Sequence, residues 1–302
     1  MDQSVKLGSL TLKNPVITAS GTFGYGLEFM RYGDLAGLGG ICLKGISLEP
    51  RPGNPMPRIA ETPCGMLNAI GLQNVGVEKF LKEKLPYIPA GVTVIANLYA
   101  QTVDDFGRLA DIFSHEEKIA ALEVNISCPN VRSGGMAFGQ DPAMAAQVAA
   151  AVRKRAGTKP VMVKLSPNVT DVTVIARAVV DAGADMLSLI NTLTGMSVDI
   201  RSRKSRLANV VGGLSGPAIK PVALRMVHQV ARAVHVPVIG MGGITTAEDV
   251  LEFILVGASA VQVGTANFMR PDKAFRLVDE VAALAESLGI QSWDQYRGTL
   301  AV

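Results

Sequence analysis

No C-x-x-C pair occurs in the sequence, and its three cysteines, Cys42, Cys64 and Cys128, are odd in number and far apart. They make neither a disulfide framework nor a recognisable zinc or iron–sulfur ligand set. Charge of one sign is scarce as well: 29 Lys and Arg against 26 Asp and Glu leave +3, far from the basic footprint of a nucleic-acid binder. No apolar run reaches the roughly 18 residues of a membrane span; the longest are interrupted, as by Glu252. The opening Met1-Asp2-Gln3-Ser4-Val5-Lys6 has no basic stretch followed by an apolar one, so no secretory leader is read. A reduced, cytoplasmic protein that binds neither nucleic acid nor membrane is the expectation. Hydrophobic residues, by contrast, make up 48% and charged residues 18%, which excludes disorder and allows a large core.

The 31 glycines and 16 prolines are spread along the chain and punctuate many short elements. β-rich runs fall near Pro15–Ala19, Ile41–Lys44, Val92–Leu98, Ala121–Ile126, Val161–Leu165, Met186–Ile190, Val236–Gly240 and Ala260–Val263. Helical patterns alternate with them, over Leu27–Leu38, Val77–Leu85, Val103–Phe113, Pro142–Arg155, Val172–Ala182, Pro217–Val234, Ala247–Val256 and Asp272–Leu288. Eight strand-then-helix units, several strands being continuously apolar, predict a closed parallel (β/α)8 barrel of the TIM type. A doubly wound open sheet is the rival, but Ser20-Gly21-Thr22-Phe23-Gly24-Tyr25-Gly26 does not open as a dinucleotide fingerprint. No domain boundary stands out, so residues 1–302 are read as one domain. Val5–Leu12 alternates around Gly8-Ser9 and predicts a hairpin closing the bottom of the barrel. Three long connections, Ile46–Gly76, Ser127–Asp141 and Asn191–Gly216, fall on the C-terminal face, where barrels build active sites.

The strand ends on that face carry Ser20, Lys44, Asn97, Asn125 followed by Cys128, Lys164, Asn191-Thr192, Gly242-Gly243 and Gly264-Thr265. Carboxylates and histidines are missing there, which speaks against a metal site, a histidine triad or an acid–base carboxylate pair. The glycine pairs follow strands seven and eight, a usual phosphate position in barrels, where bare backbone N–H groups can meet an anion; tight turning alone is the bland alternative. Lys44 and Lys164 suit anionic partners, although a Schiff-base lysine, as in aldolase barrels, uses the same residue type. Asn68, Asn97, Asn125 and Asn191 each offer a donor and an acceptor to a flat heterocycle. Cys128, in a polar loop, suits a nucleophile or a general base; no adjacent histidine activates it, which favours the base. Cys42, inside an apolar run, reads as a small hydrophobe. Cys64 has no evident role, and the cluster Arg201–Arg206 reads as a solvated loop.

Five stretches in order resemble class 1 dihydroorotate dehydrogenases: Ala19–Gly24, Asn68–Asn74, Asn125–Asn130, Leu207–Pro217 and Gly240–Ile244. Gly134–Gly139 after the cysteine motif resembles the B, NAD-linked type. The resemblance implies an FMN enzyme that oxidises (S)-dihydroorotate to orotate in pyrimidine synthesis. Cys128 would remove the C5 proton while the C6 hydride passes to flavin N5. It assigns the substrate to Lys44, Asn68, Ala69, Ile70, Gly71, Leu72, Asn125, Asn191 and Thr192. It assigns FMN to Ser20, Lys44, Gly45, Asn97, Asn125, Lys164, Ile190, Gly216, Gly242, Gly243, Gly264 and Thr265, and no metal to this chain. Electrons would go on to NAD+ through a partner subunit with FAD and a [2Fe–2S] cluster, in a heterotetramer built on a catalytic homodimer. A dihydropyrimidine dehydrogenase-type domain acting on uracil or thymine is the near alternative, and an aldolase barrel the distant one.

Overall fold

Short apolar runs pair edge to edge and close on themselves in the computed structural model, which describes residues 1–127 and 138–301. The chain starts with a hairpin, β1 (Val5–Leu7) and β2 (Leu10–Leu12), paired Val5 to Leu12. Val5, Leu7 and Leu12 are buried. The hairpin leads directly into the amino end of the first barrel strand, so it closes the bottom as expected.

The barrel begins with β3 (Val16–Thr18) and β4 (Gly40–Cys42). The second connection carries β5 (Ile59–Thr62) and β6 (Gly65–Asn68). The barrel resumes with β7 (Val94–Leu98), β8 (Ile119–Asn125), β9 (Val161–Lys164) and β10 (Met186–Leu189). Four strands then occupy the sixth connection: β11 (Leu193–Met196), β12 (Val198–Asp199), β13 (Lys204–Ser205) and β14 (Val211–Ser215). The barrel ends with β15 (Val238–Met241) and β16 (Ala260–Val263). Parallel pairing runs β3, β4, β7, β8, β9, β10, β15, β16 and back to β3. This is an eight-stranded (β/α)8 barrel, and most predicted strands and helices stand within about two residues of their expected ends.

Two expectations need correction. The helix expected over Leu27–Leu38 is two 3-10 turns, Leu27–Phe29 and Leu35–Gly37. Glycines weaken a helix here, and Gly33 sits where an added Cβ would lie 2.5 Å from the Phe275 ring; Asp34 then starts the second turn by accepting from the Ala36 N–H. The long connections, read as loops, are partly sheet. Strands β5, β6, β14 and β11 form an antiparallel sheet over the mouth, with Asn68 opposite Gly213 and Leu193 opposite Leu214. Their brevity and their glycines hid them. Gly213 is needed for close approach, since a Cβ there would meet Thr192 Oγ1 at 2.0 Å.

Most of the buried side chains are apolar, yet the barrel interior also buries Thr18, Asn97, Glu123, Ser188 and Gln262. Barrel interiors are ordinarily filled by branched apolar residues, so a polar cluster at that level requires its own account.

Candidate active site

Strands end where their apolar runs stop, and the residues at those ends enclose a cavity of about 380 Å³, within the usual range for small-molecule sites. Its wall includes Ser20, Lys44, Gly45, Asn68, Ile70, Gly71, Leu72, Asn125, Lys164, Ile190, Asn191, Thr192, Gly216, Gly242, Gly243, Gly264 and Thr265. Two other expected site residues lie behind this wall. Ala69 is fully buried, its N–H donating to the Arg58 carbonyl and its carbonyl accepting from Asn54 Nδ2. Asn97 is fully buried with its Nδ2 donating to Glu123 at 2.6 Å. Cys128 and Gly134–Ala137 lie outside the described residues.

The two glycines of the turn after β15 are structurally enforced. Gly242 and Gly243 have φ of 129° and 78°. A Cβ on Gly242 would lie 2.8 Å from the Ala223 Cβ, and one on Gly243 would lie 2.9 Å from the Gly216 carbonyl oxygen. Bare backbone therefore faces the cavity at this end, next to Gly264 and Thr265. Thr265 Oγ1 donates to Ser215 Oγ at 2.8 Å, which ties the turn to the mouth sheet. Behind Gly243, the Lys220 ammonium pairs with Asp249 at 2.6 Å and Glu252 at 2.7 Å. Burial opposes that charge, but the two carboxylates outweigh it and raise the lysine above its ordinary value.

The opposite wall is polar. Residues 70–72 loop around Asn54, whose backbone N–H donates to the Ile70 carbonyl at 2.9 Å. Asn191 Nδ2 donates to Ser127 Oγ at 2.7 Å, and Ser127 Oγ donates to Asn125 Oδ1 at 3.3 Å. Two cavity asparagines thus hold the residue that immediately precedes Cys128. The chain returns at Phe138-Gly139, where a Cβ on Gly139 would lie 2.7 Å from the Ile126 carbonyl oxygen.

Lys44 and Lys164 both reach the wall, as expected from their places at strand ends. Burial, and then the charge of Arg58, holds Lys44 below the ordinary lysine range, with Glu28 acting the other way. Lys164 corrects the expectation that no carboxylate lies near the mouth: its Nζ is 4.0 Å from Glu123 Oε2, and the glutamate is fully buried. Burial alone would push the Glu123 carboxyl up; Lys164 and hydrogen bonds from Gln262, Cys42 and Ser188 outweigh it and hold the group below its ordinary value. Cys42 is buried as expected but is more than a small hydrophobe, because its Sγ donates to Glu123 Oε2 at 3.1 Å. Burial, and then the Glu123 charge, pushes that thiol well above its ordinary value, so it stays protonated.

Cys64 is exposed at the tip of the β5–β6 hairpin with φ of 57°. Arg201, Arg203 and Arg206 are exposed around the β12–β13 hairpin, in keeping with a solvated loop. Sequence reasoning missed Arg58, Gln262, Phe268 and Glu123. For Glu123 a signal existed: it lies two residues before Asn125 on one strand, and strand residues at i and i+2 face the same side.

A family model described as dihydroorotate dehydrogenase matches residues 3–284. A relative from Solidesulfovibrio magneticus, named dihydroorotate dehydrogenase B (NAD(+)), catalytic subunit, is 70% identical over 100% of this chain and 99% of its own. Its namesake from Maridesulfovibrio salexigens is 63% identical over 99% of each chain. Among solved structures, the dihydroorotate dehydrogenase of Eimeria tenella in complex with ferulenol superposes with a TM-score of 0.82 at 24% identity, covering 99% of this chain and 88% of that one.

Proposed function

Because this chain belongs to the dihydroorotate dehydrogenase family, we propose that its cavity binds FMN and dihydroorotate side by side, with Cys128 as the base. The activity is NAD-linked oxidation of dihydroorotate to orotate in pyrimidine biosynthesis, in a catalytic subunit of the B type. The relatives are named for dihydroorotate, not for uracil or an aldolase substrate. The observation that supports the site reading most is the pinning of Ser127 by Asn125 and Asn191, two residues of the cavity wall.

The donor set suits FMN. Gly242, Gly243, Gly264 and Thr265 offer bare backbone and a hydroxyl to its phosphate. Lys164 and Gln262 offer a cation and, on Gln262 Oε1, a buried acceptor without a partner among the described residues. FMN, when bound, supplies the two-electron acceptor for the hydride that leaves C6 of the substrate. The chain's own residues do the rest. Lys44 and the 68–72 stretch hold the anionic acid, and Asn125 and Asn191 orient its ring amides. Cys128 takes the C5 proton on sulfur. The mouth sheet screens the pair from water.

Electrons leaving this chain need a second subunit, which the word "catalytic" in the relatives' names implies. We assign FAD and a [2Fe–2S] cluster to that partner, in a heterotetramer around a homodimer, since three scattered cysteines are too few to hold a cluster here. Ile59 and Phe268 suit such a contact: both line the cavity yet stay 49% and 54% exposed. No helix among the described residues is long and apolar enough to cross a membrane.

The decisive experiment is purification from the native host followed by assay. A yellow protein that oxidises dihydroorotate, ignores uracil and brings a partner with FAD and iron is expected. A colourless protein that refuses FMN would reject the site reading, and a lone fumarate-reducing dimer would reject the partner.

Lys44 gives a second expectation. Its ammonium must be protonated to hold an anionic acid, and its lowered value means that charge is lost at lower pH than for an ordinary lysine. The alkaline limb of kcat/KM should therefore begin below the usual lysine range. Arg58→Gln removes the second cause of the depression, so the limb should move to higher pH. A limb that stays in place in a pH-rate series would remove Lys44 from substrate binding.

A further inference from the structure

The polar cluster at the barrel centre is organised around one carboxylate. Glu123 Oε2 accepts from Asn97 Nδ2 at 2.6 Å and Cys42 Sγ at 3.1 Å. Its Oε1 accepts from Ser188 Oγ at 2.8 Å and Gln262 Nε2 at 2.7 Å. These four donors come from four different barrel strands, and Lys164, from a fifth, brings its ammonium to 4.0 Å. All six residues are at most 5% exposed. A pair like this is a poor device for stability, since well-packed apolar residues commonly serve as well or better. What it does control is the polarity of the cavity floor.

A carboxylate only accepts, so Gln262 must turn its NH2 towards Glu123. The Gln262 carbonyl oxygen is then left without a partner among the described residues, on a side chain that lines the cavity. Lys164 lines the same floor and is neutralised from behind. The floor thus presents one acceptor and one compensated cation.

We propose that Glu123 is a positioning residue for the oxidation: it fixes the Lys164 ammonium and the Gln262 amide, and so sets the midpoint potential of the bound flavin. This rests on the reading of the cavity as the FMN site. Reduction adds negative charge to the ring, and charge at a dry floor acts with little screening. The Glu123 carboxylate opposes that gain, while Lys164 favours it. Their balance fixes the potential.

The test is a reductive titration of the FMN-loaded protein and its Glu123→Gln and Glu123→Asp variants. Glu123→Gln leaves Lys164 uncompensated, so the potential should rise. The ratio of affinities for reduced and oxidised FMN should grow about tenfold or more, which for a two-electron couple is about 30 mV. Glu123→Asp keeps the charge but shortens the side chain; its potential should stay close to that of the unaltered protein, whereas a merely structural role would disturb it at least as much. Should Glu123→Gln fail to fold, the comparison moves to Lys164→Met, where adding Glu123→Gln removes the last charge of the pair and should again raise the potential. Equal potentials, in either background, overturn the inference while leaving FMN in its site. An unaltered protein that takes up no FMN overturns the site reading first, and the inference with it.

Discussion

Replacing Cys128 with alanine should slow reduction of the flavin by dihydroorotate by roughly 10²-fold or more, the usual cost of losing a general base. Asn125 and Asn191 belong to the cavity wall and hold Ser127 by hydrogen bonds, so the chain enters position 128 from a fixed point beside the site. The described strand ends offer no equivalent base. His115 lies at the end of a helix and His228 within one, and Glu123 is buried beneath the floor with its oxygens occupied. The loss should therefore be in the proton step, with FMN retained and orotate binding little changed. Stopped-flow reduction at the unaltered rate would withdraw the assignment of Cys128.

Gly243→Ala should weaken FMN binding by about 100-fold, or roughly 2.7 kcal/mol. The position has φ of 78°, where a side chain costs on the order of 1–3 kcal/mol. The new Cβ would also lie 2.9 Å from the Gly216 carbonyl oxygen and 2.8 Å from the Lys220 Cβ. Relief requires the turn to move away from its neighbours, and the bare N–H groups move with it. The barrel strands are anchored elsewhere, so far-ultraviolet circular dichroism should be nearly unchanged. Flavin released on ultrafiltration reads the effect, and full retention at micromolar protein would separate this turn from the phosphate.

The barrel was legible because its strands are uninterrupted apolar runs at regular spacing, each followed by a helical pattern. Lys44, Asn125, Lys164 and Asn191 were legible for the same reason: a strand end is where the apolar run stops, and polar residues there face the cavity. The mouth sheet was not legible. Its strands have four or five residues and contain Gly65, Gly195, Gly212 and Gly213, and the β6–β14 pairing that joins its two halves links residues more than a hundred positions apart. Asn97 was legible only in part: its position at a strand end suggested an open side chain, whereas its Nδ2 is taken up by Glu123 and its Oδ1 is buried without a partner among the described residues. Glu123 was missed because it precedes the strand end by two residues, inside a run otherwise read for its hydrophobicity. The short turns at Leu27–Phe29 and Leu35–Gly37 show the reverse failure, in which an apolar pattern suggested a helix that is interrupted at Gly33, packed against Phe275, and at the Asp34 cap.

The mouth sheet joins residues 59–68 to residues 193–215. During synthesis the first pair of strands emerges long before the second, and domains mature from the amino end. A nascent chain therefore carries half a wall for much of its production. With FMN in this cavity, capture would wait until translation has passed the sixth connection, and a prematurely ended polypeptide would not hold the coenzyme.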